Sequence, residues 1–315
     1  MDRTEREYDV ACTVIPVTGI NTSGLVNHSI ISGVPGSSPL LRWAGSKKKL
    51  LPKLCAATPT HFERYIEPFV GSGVLFLLIN PKRAILSDLN LHLVQTYKTI
   101  KADAEMVWNT VMTWPATERF YYELREINPL GLDSYARAAR FIYLNRYCFN
   151  GVYRTNRQGL FNVSRGQGNL GIPDLSIFKG FAARIRKAQI INCDFEKTID
   201  KAEKNDFLYL DPPYAELGKR DRGEYGAGTF KRDDVDRLIK AMHRANDRGV
   251  KVLLSYSADQ LDLKRLKEWH VHELSVMRNV AGFTGARRTA REVLISNYEW
   301  TDNVSASTCK NRSRK

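Results

Sequence analysis

The sequence predicts an α/β fold interrupted by a mainly helical insert, on three observations. First, a strand, a glycine turn, a helix, a second strand and an acid follow one another between Arg64 and Asp88, the order of a nucleotide-binding unit. Second, from about Ala102 to Ala188 the pattern changes to helices rich in Trp, Tyr and Arg. Third, strand and helix signals alternate again from Ile190 onward.

Taken in order, residues 1–38 hold scattered Gly, Ser, Asn and Pro without a sustained period, so they read as an extension or linker with at most a short strand over Val10 to Val17. Lys47 to Cys55 reads as the start of an amphipathic helix. Arg64 to Phe69 is a strand entering the turn Val70-Gly71-Ser72-Gly73, and Val74 to Ile79 the helix behind it. Ala84 to Ser87 is a strand closing at Asp88, with a helix near Leu91 to Ile100. Within the insert, Asn150 to Val163 is glycine-rich and reads as a hairpin. Ile190 to Phe195, Leu208 to Leu210, Val250 to Tyr256 and Arg291 to Tyr298 read as strands, with a helix from about Asp233 to Asn246. The expected organisation is a catalytic domain over 39–101 and 189–300, a recognition domain over 102–188 and a basic tail over 301–315.

Composition narrows the partners. The 315 residues carry a formal net charge of +14, which favours a polyanion. Between Arg137 and Lys187 stand ten basic residues and one acid, Asp174, a local excess beyond what solubility requires. Five scattered cysteines, Cys12, Cys55, Cys148, Cys193 and Cys309, offer neither zinc-site spacing nor a disulfide framework. Acids near the amino terminus and the lack of a long apolar run argue against a signal peptide and a membrane span. A cytoplasmic, metal-free monomer is the expectation.

The chemistry concentrates in Leu208-Tyr209-Leu210-Asp211-Pro212-Pro213-Tyr214. Proline fixes φ and restricts the residue before it, so Asp211 and the Pro212 carbonyl are held rigidly past a strand end. Two convergent acceptors suit the two N–H donors of a flat amino group such as the exocyclic nitrogen of adenine. They favour a more tetrahedral nitrogen and stabilise its charge as it attacks an electrophilic methyl group. Tyr214 offers a face for a base turned out of its stack. The plainer alternative is a strand stop with Tyr214 in the core. Glu67-Pro68-Phe69-Val70-Gly71-Ser72-Gly73 suits a cofactor loop, because glycine lets backbone approach a ligand and adopt positive φ. Asp88 is placed to accept ribose hydroxyls, or else to cap the following helix.

Taken together and in this order, Leu41-Arg42-Trp43-Ala44-Gly45-Ser46-Lys47, Glu67 to Gly73, Ser87-Asp88-Leu89-Asn90, Tyr143 to Arg154, Phe161-Asn162-Val163 and Asp-Pro-Pro-Tyr resemble the DNA adenine methyltransferase (Dam) family, over roughly residues 39 to 299. The resemblance implies a Rossmann-like, mostly parallel seven-strand sheet with an inserted target-recognition domain. It also implies S-adenosylmethionine as cofactor and N6 of adenine in double-stranded DNA as target, at GATC or a related site. By position it implies cofactor contacts at Trp43, Lys47, Glu67, Phe69, Gly71, Gly73, Asp88, Asp194, Phe195 and Asp211. Asp211, Pro212 and Tyr214 are the implied catalytic set, and Arg42, Phe149, Asn150, Val152 and Arg154 the implied DNA contacts. By residue type alone Lys47 also reads as a solvated helix lysine and Phe149 as core. Asn150, Val152 and Arg154 are expected on one face of a strand. Ser164 and Gly166-Gln167-Gly168-Asn169 depart from the pattern of GATC-specific relatives, which bears on the site and not on the chemistry. Cytosine N4, an RNA base, and a non-catalytic DNA-binding regulator are the alternatives.

Overall fold

The computed structural model describes residues 38–156, 158–167, 171–215, 230–279 and 287–301, with backbone alone for 275–279 and 287–290. Apart from Ser38 and Thr301, the expected extension, its short strand and the basic tail lie outside the described residues, as do Cys12 and Cys309.

A 3-10 turn, Lys48–Leu50, opens into α1 (Leu51–Ala57), where Pro52 sits in the first turn and its missing N–H costs no helical bond. Next come β1 (Tyr65–Glu67), α2 (Val74–Ile79), β2 (Ala84–Asp88) and α3 (Leu91–Ala102). Between α3 and β3 come α4 (Ala104–Met112), α5 (Glu118–Glu126), α6 (Ser134–Tyr147) and α7 (Leu175–Ile185). Asp103, Thr117 and Asp133 cap the first three of these by accepting backbone N–H groups that the helix leaves unpaired. Alternation then resumes with β3 (Ala188–Asn192), α8 (Phe195–Ile199), β4 (Phe207–Leu210), α9 (Arg232–Asp247) and β5 (Lys251–Ser257). β6 (His270–Asn279) and β7 (Arg287–Ser296) complete the sheet.

The strands lie in the order β3-β2-β1-β4-β5-β7-β6, with β7 antiparallel to both neighbours and the others parallel. Because side chains alternate across a strand, Phe207 and Tyr209 enter the core on one face while Leu208 and Leu210 enter the core on the other. The first core takes in α1 to α7, so α4 to α7 share one continuous apolar interior with the sheet. The second is closed by α8 and α9. Chain direction away from β1 reverses between β1 and β4, and a crevice opens at the carboxyl ends of those two strands, where Glu67-Pro68 and Asp211-Pro212 begin.

Asn150 to Val163 contains a short hairpin, with an antiparallel bridge between Thr155 and Phe161 and backbone bonds from the Asn162 N–H to the Arg154 carbonyl and from the Asn156 N–H to the Leu160 carbonyl, and a second bridge joins Cys148 and Arg165 at its base. Two local expectations need correction. Asn150 turns left-handed at φ 53° within a 3-10 turn, Phe149–Gly151, so it does not share a strand face with Val152 and Arg154. The strand over Ile190 to Phe195 stops at Asn192, because Asp194 accepts the Glu196 N–H and starts α8. β6 was not expected at all: its run His270-Val271-His272-Glu273 lacks an apolar alternation and is recruited by pairing with β7.

Candidate active site

At the crevice lies a cavity of about 500 Å³. Every residue expected at a cofactor lines it, from Trp43 and Lys47 through the glycine turn and Asp88 to Asp194, Phe195 and Asp211.

The glycine turn forms one wall. Gly71 and Gly73 have φ of 44° and 62°, a region costly for residues with a Cβ. A Cβ on Gly71 would lie 2.7 Å from the Trp43 ring, so the turn and the tryptophan fit against each other only because that position is glycine. The Gly71 carbonyl accepts the Tyr97 hydroxyl at 2.5 Å, and the Gly71 N–H donates to Asp88 at 3.1 Å. Asp88 also accepts the Asn90 N–H at 2.9 Å, while Asn90 itself caps α3 through the Leu93 N–H. The capping role considered for Asp88 therefore belongs to Asn90. Burial raises the Asp88 carboxyl to about 6, against the backbone N–H groups of Asn90, Gly71 and Leu89. Glu67 is buried and accepts the Tyr65 hydroxyl at 3.0 Å; burial and the nearby Asp211 and Asp88 carboxylates hold it well above the ordinary range.

At the other end stands the Asp-Pro-Pro-Tyr segment. Lys47 is 7% exposed, which rules out a solvated helix lysine. Its Nζ lies 2.7 Å from Asp211 Oδ1 and donates to the Tyr214 hydroxyl at 3.3 Å. Burial opposes the Lys47 charge, yet Asp211, Tyr214 and Glu292 outweigh it and hold the ammonium above the usual lysine range. The Tyr214 hydroxyl donates to Glu292 at 2.8 Å, and its ring stacks on Tyr256 with centroids 5.6 Å apart.

An aromatic shelf closes the remaining side. Phe69 and Phe195 stack at 5.4 Å, and Phe230 meets Phe69 edge-on. Arg237 lies over the Phe195 ring at 4.7 Å and pairs with Asp194 at 2.8 Å, Glu196 and Asp234. Asp194 thus has a structural role, capping α8 and anchoring Arg237, in addition to its place on the cavity wall. Sequence reasoning missed Phe230 just before α9, Arg237 on α9, Tyr256 on β5 and Glu292 on β7, which carry no spacing signal.

Of the expected DNA contacts, Arg42 adjoins Trp43 in the chain and Val152 and Arg154 flank Tyr153, and both aromatics stand on the cavity wall. The Arg42 N–H donates to the Asn145 side chain at 2.8 Å and the Asn145 amide returns a bond to the Arg42 carbonyl at 2.6 Å, tying the first motif to α6. Trp43 stacks on Tyr153 at 6.2 Å, and Tyr153 lines the cavity. Phe149 is 45% exposed and so is not core, and Asn150 is exposed beside it. Arg154 Nε donates to Asn162 at 2.9 Å. Cys148 and Cys193 are free thiols.

The sheet order with its antiparallel seventh strand, and a crevice flanked by Glu-Pro-Phe-Val-Gly-Ser-Gly and Asp-Pro-Pro-Tyr, define an α/β methyltransferase. The chain belongs to the D12 class of N6 adenine-specific DNA methyltransferases, whose family pattern matches residues 43–280. It is 32% identical over 285 residues to the type II methyltransferase M.MjaIII of Methanocaldococcus jannaschii, covering 82% of this chain and 99% of that one. Against the type II methyltransferase M1.LlaDCHI of Lactococcus lactis subsp. cremoris it is 29% identical over 270 residues, 82% of this chain and 95% of the relative. A DNA adenine methylase of Salmonella typhi is 30% identical over 264 residues, 81% and 93% of the two chains. The reaction is accordingly methylation of adenine N6 in DNA, which needs a methyl donor, and the resemblance read from the motifs is borne out. Among the described residues no helix is long and apolar enough to cross a membrane, and no cluster of His, Cys, Asp and Glu could hold a metal ion.

Proposed function

We propose that the cavity binds S-adenosylmethionine, and that its Asp211 end receives the amino group of an adenine turned out of duplex DNA. The observation that carries this reading is the convergence of Trp43, Lys47, the glycine turn, Asp88 and Asp211-Pro212-Tyr214 on one cavity from four separate stretches of chain. The donor set fits the molecule: a carboxylate for ribose hydroxyls, an aromatic shelf for a purine, and a glycine turn that leaves space for a methionine chain. S-adenosylmethionine supplies an electrophilic methyl group when bound.

On this reading Asp88 orients the ribose and Phe69, Phe195 and Phe230 hold the purine. Asp211 and the Pro212 carbonyl accept the two amino hydrogens of the target, which raises the electron density available at N6 and stabilises the charge that develops there. Lys47 holds the Asp211 carboxylate through Oδ1 and so fixes its place at this end of the cavity. Tyr214 supplies the stacking face. Residues 102–188 form the recognition domain, with residues 39–101 and 189–300 catalytic, and Arg42, Phe149, Asn150, Val152 and Arg154 meet the DNA. The exposed Phe149 ring fills the space left in the base stack, which offsets unstacking. The target is GATC or a related short site.

Incubating duplex DNA with isotopically labelled methyl donor and hydrolysing it to nucleosides tests the assignment. Labelled N6-methyladenine is expected from the wild type. Asp211→Ala should lose at least about a hundredfold of this while still binding donor and DNA. Near-normal turnover in Asp211→Ala would overturn the assignment. Sequencing the methylated DNA gives the recognition site.

A further inference from the structure

Glu292 lies on β7, outside every motif described above, and pairs in register with Ser257 of β5. It is 3% exposed. A carboxylate taken that far out of water is costly unless hydrogen bonds and opposite charge answer it. Its Oε1 accepts the Tyr214 hydroxyl at 2.8 Å, that hydroxyl lies 3.3 Å from Lys47 Nζ, and Nζ lies 2.7 Å from Asp211 Oδ1. An ammonium only donates and an ionised carboxylate only accepts, so the direction of the chain is fixed: Lys47 donates to the Tyr214 oxygen and Tyr214 donates to Glu292. One ammonium is thus shared between the Asp211 carboxylate and a tyrosine hydroxyl anchored by a second carboxylate.

We infer that Glu292 is a positioning residue for methyl transfer: acting through the Tyr214 hydroxyl, it fixes the ring on which the target adenine stacks and draws part of the Lys47 charge away from Asp211. Both effects serve the same end. A tyrosine anchored at its hydroxyl and backed by Tyr256 cannot swing with the incoming base, so the amino group meets Asp211 in one orientation. An ammonium held from two sides leaves Asp211 a better acceptor than it would be as the sole partner of a lysine. The inference rests on the reading of Asp211 and Tyr214 as the target-base end of the cavity.

A double-mutant cycle separates this from a packing role. Glu292→Ala in otherwise intact protein should lower kcat about tenfold, the rate equivalent of one charge-assisted hydrogen bond, with KM for donor and DNA within about twofold. Glu292→Gln keeps an acceptor for the hydroxyl and should recover a large part of the loss. In a Tyr214→Phe background Glu292→Ala should add little further loss, because the hydroxyl through which Glu292 acts is already gone. Rates are counted per folded site by titrating bound donor, so partial unfolding cannot mimic the effect. Equal losses in both backgrounds, or normal kcat per folded site in Glu292→Ala, would overturn the inference. Asp211→Ala in the same assay tells the two readings apart: if it too kept turnover, the site assignment would fail, whereas its loss beside an unaffected Glu292→Ala would sink the role of Glu292 alone.

Discussion

The Lys47 ammonium lies 2.7 Å from the Asp211 carboxylate, joining the first motif of the chain to the strand end that carries Asp-Pro-Pro-Tyr. Neither charge is well solvated, at 7% and 19% exposure. Removing one partner leaves the other poorly compensated. Lys47→Met should lower stability by about 2 kcal/mol, below the roughly 3–5 kcal/mol of fully buried pairs because Asp211 keeps some contact with water. Adding Asp211→Asn should restore part of that, since the stranded charge is then gone. Urea unfolding of the two variants checks this; a double variant no more stable than Lys47→Met would count against a coupled pair.

Asp88 makes a prediction in pH. Its carboxyl rises from 3.8 to about 6 mainly through burial. Between those values the folded protein keeps a proton that the unfolded chain has released, so Asp88 subtracts stability as pH rises through that window and subtracts no more above it. Asp88→Asn should remove this falling component from the stability profile. Donor affinity should move the opposite way, because an ionised carboxylate accepts ribose hydroxyls more strongly. Calorimetry should show wild-type affinity rising as pH increases toward about 6 and levelling off above it, with the variant flat. Parallel profiles for both proteins would return Asp88 to a purely structural role.

The cavity wall was legible because it is local in sequence. Glu67 to Gly73 leaves a strand through a glycine turn to the helix that begins at Val74, and Asp-Pro-Pro stops the apolar strand before it. The charge that surrounds Asp211 was not legible: Lys47 stands in a run of three lysines, which by itself reads as solvated, and Glu292 stands in an apolar strand whose pairing partners the sequence does not name. Arg237 was hidden for a related reason. Its three carboxylate partners come from α8, its cap and the first turn of α9, and only the packing of α9 beside α8 brings them together. The hairpin over Asn150 to Val163 was legible from its Gly and Asn residues, but the left-handed turn at Asn150, which takes that residue off the strand face, was not.

That loop is seated on Arg42 through Gly151. The glycine has φ 66°, and a Cβ on it would lie 2.4 Å from the Arg42 Cβ and 3.0 Å from the Arg42 backbone carbonyl. Backbone cannot yield as a side-chain tip can. Gly151→Ala should therefore push the loop off the first motif and weaken site preference, with a smaller effect on donor affinity through Tyr153 and Trp43 on the cavity wall. Gly131→Ala is the control, since a Cβ there meets nothing within 4 Å. Filter binding on cognate and scrambled duplexes reads the difference. Unchanged discrimination in Gly151→Ala would mean that the loop's seat on Arg42 does not serve recognition.

Arg154 separates base reading from phosphate holding. Its Nε is committed to the Asn162 side chain at 2.9 Å, which fixes one edge of the guanidinium. Nη1, and Nη2 beyond a long 3.5 Å contact to the Asn162 carbonyl, remain as a donor pair for guanine O6 and N7. A preset fork of this kind suits a base edge better than a phosphate, which needs no fixed orientation. Arg154→Ala should accordingly cost about 1 to 3 kcal/mol of discrimination at one position of the site and leave the salt dependence of nonspecific binding nearly unchanged. Asn162→Ala should reproduce part of that loss, because the guanidinium stays present and only its orientation is released. Binding measured over a series of salt concentrations on single-base variants of the site distinguishes the outcomes. A uniform fall in affinity, with the salt slope reduced by about one and the site preference intact, would place Arg154 on the backbone instead.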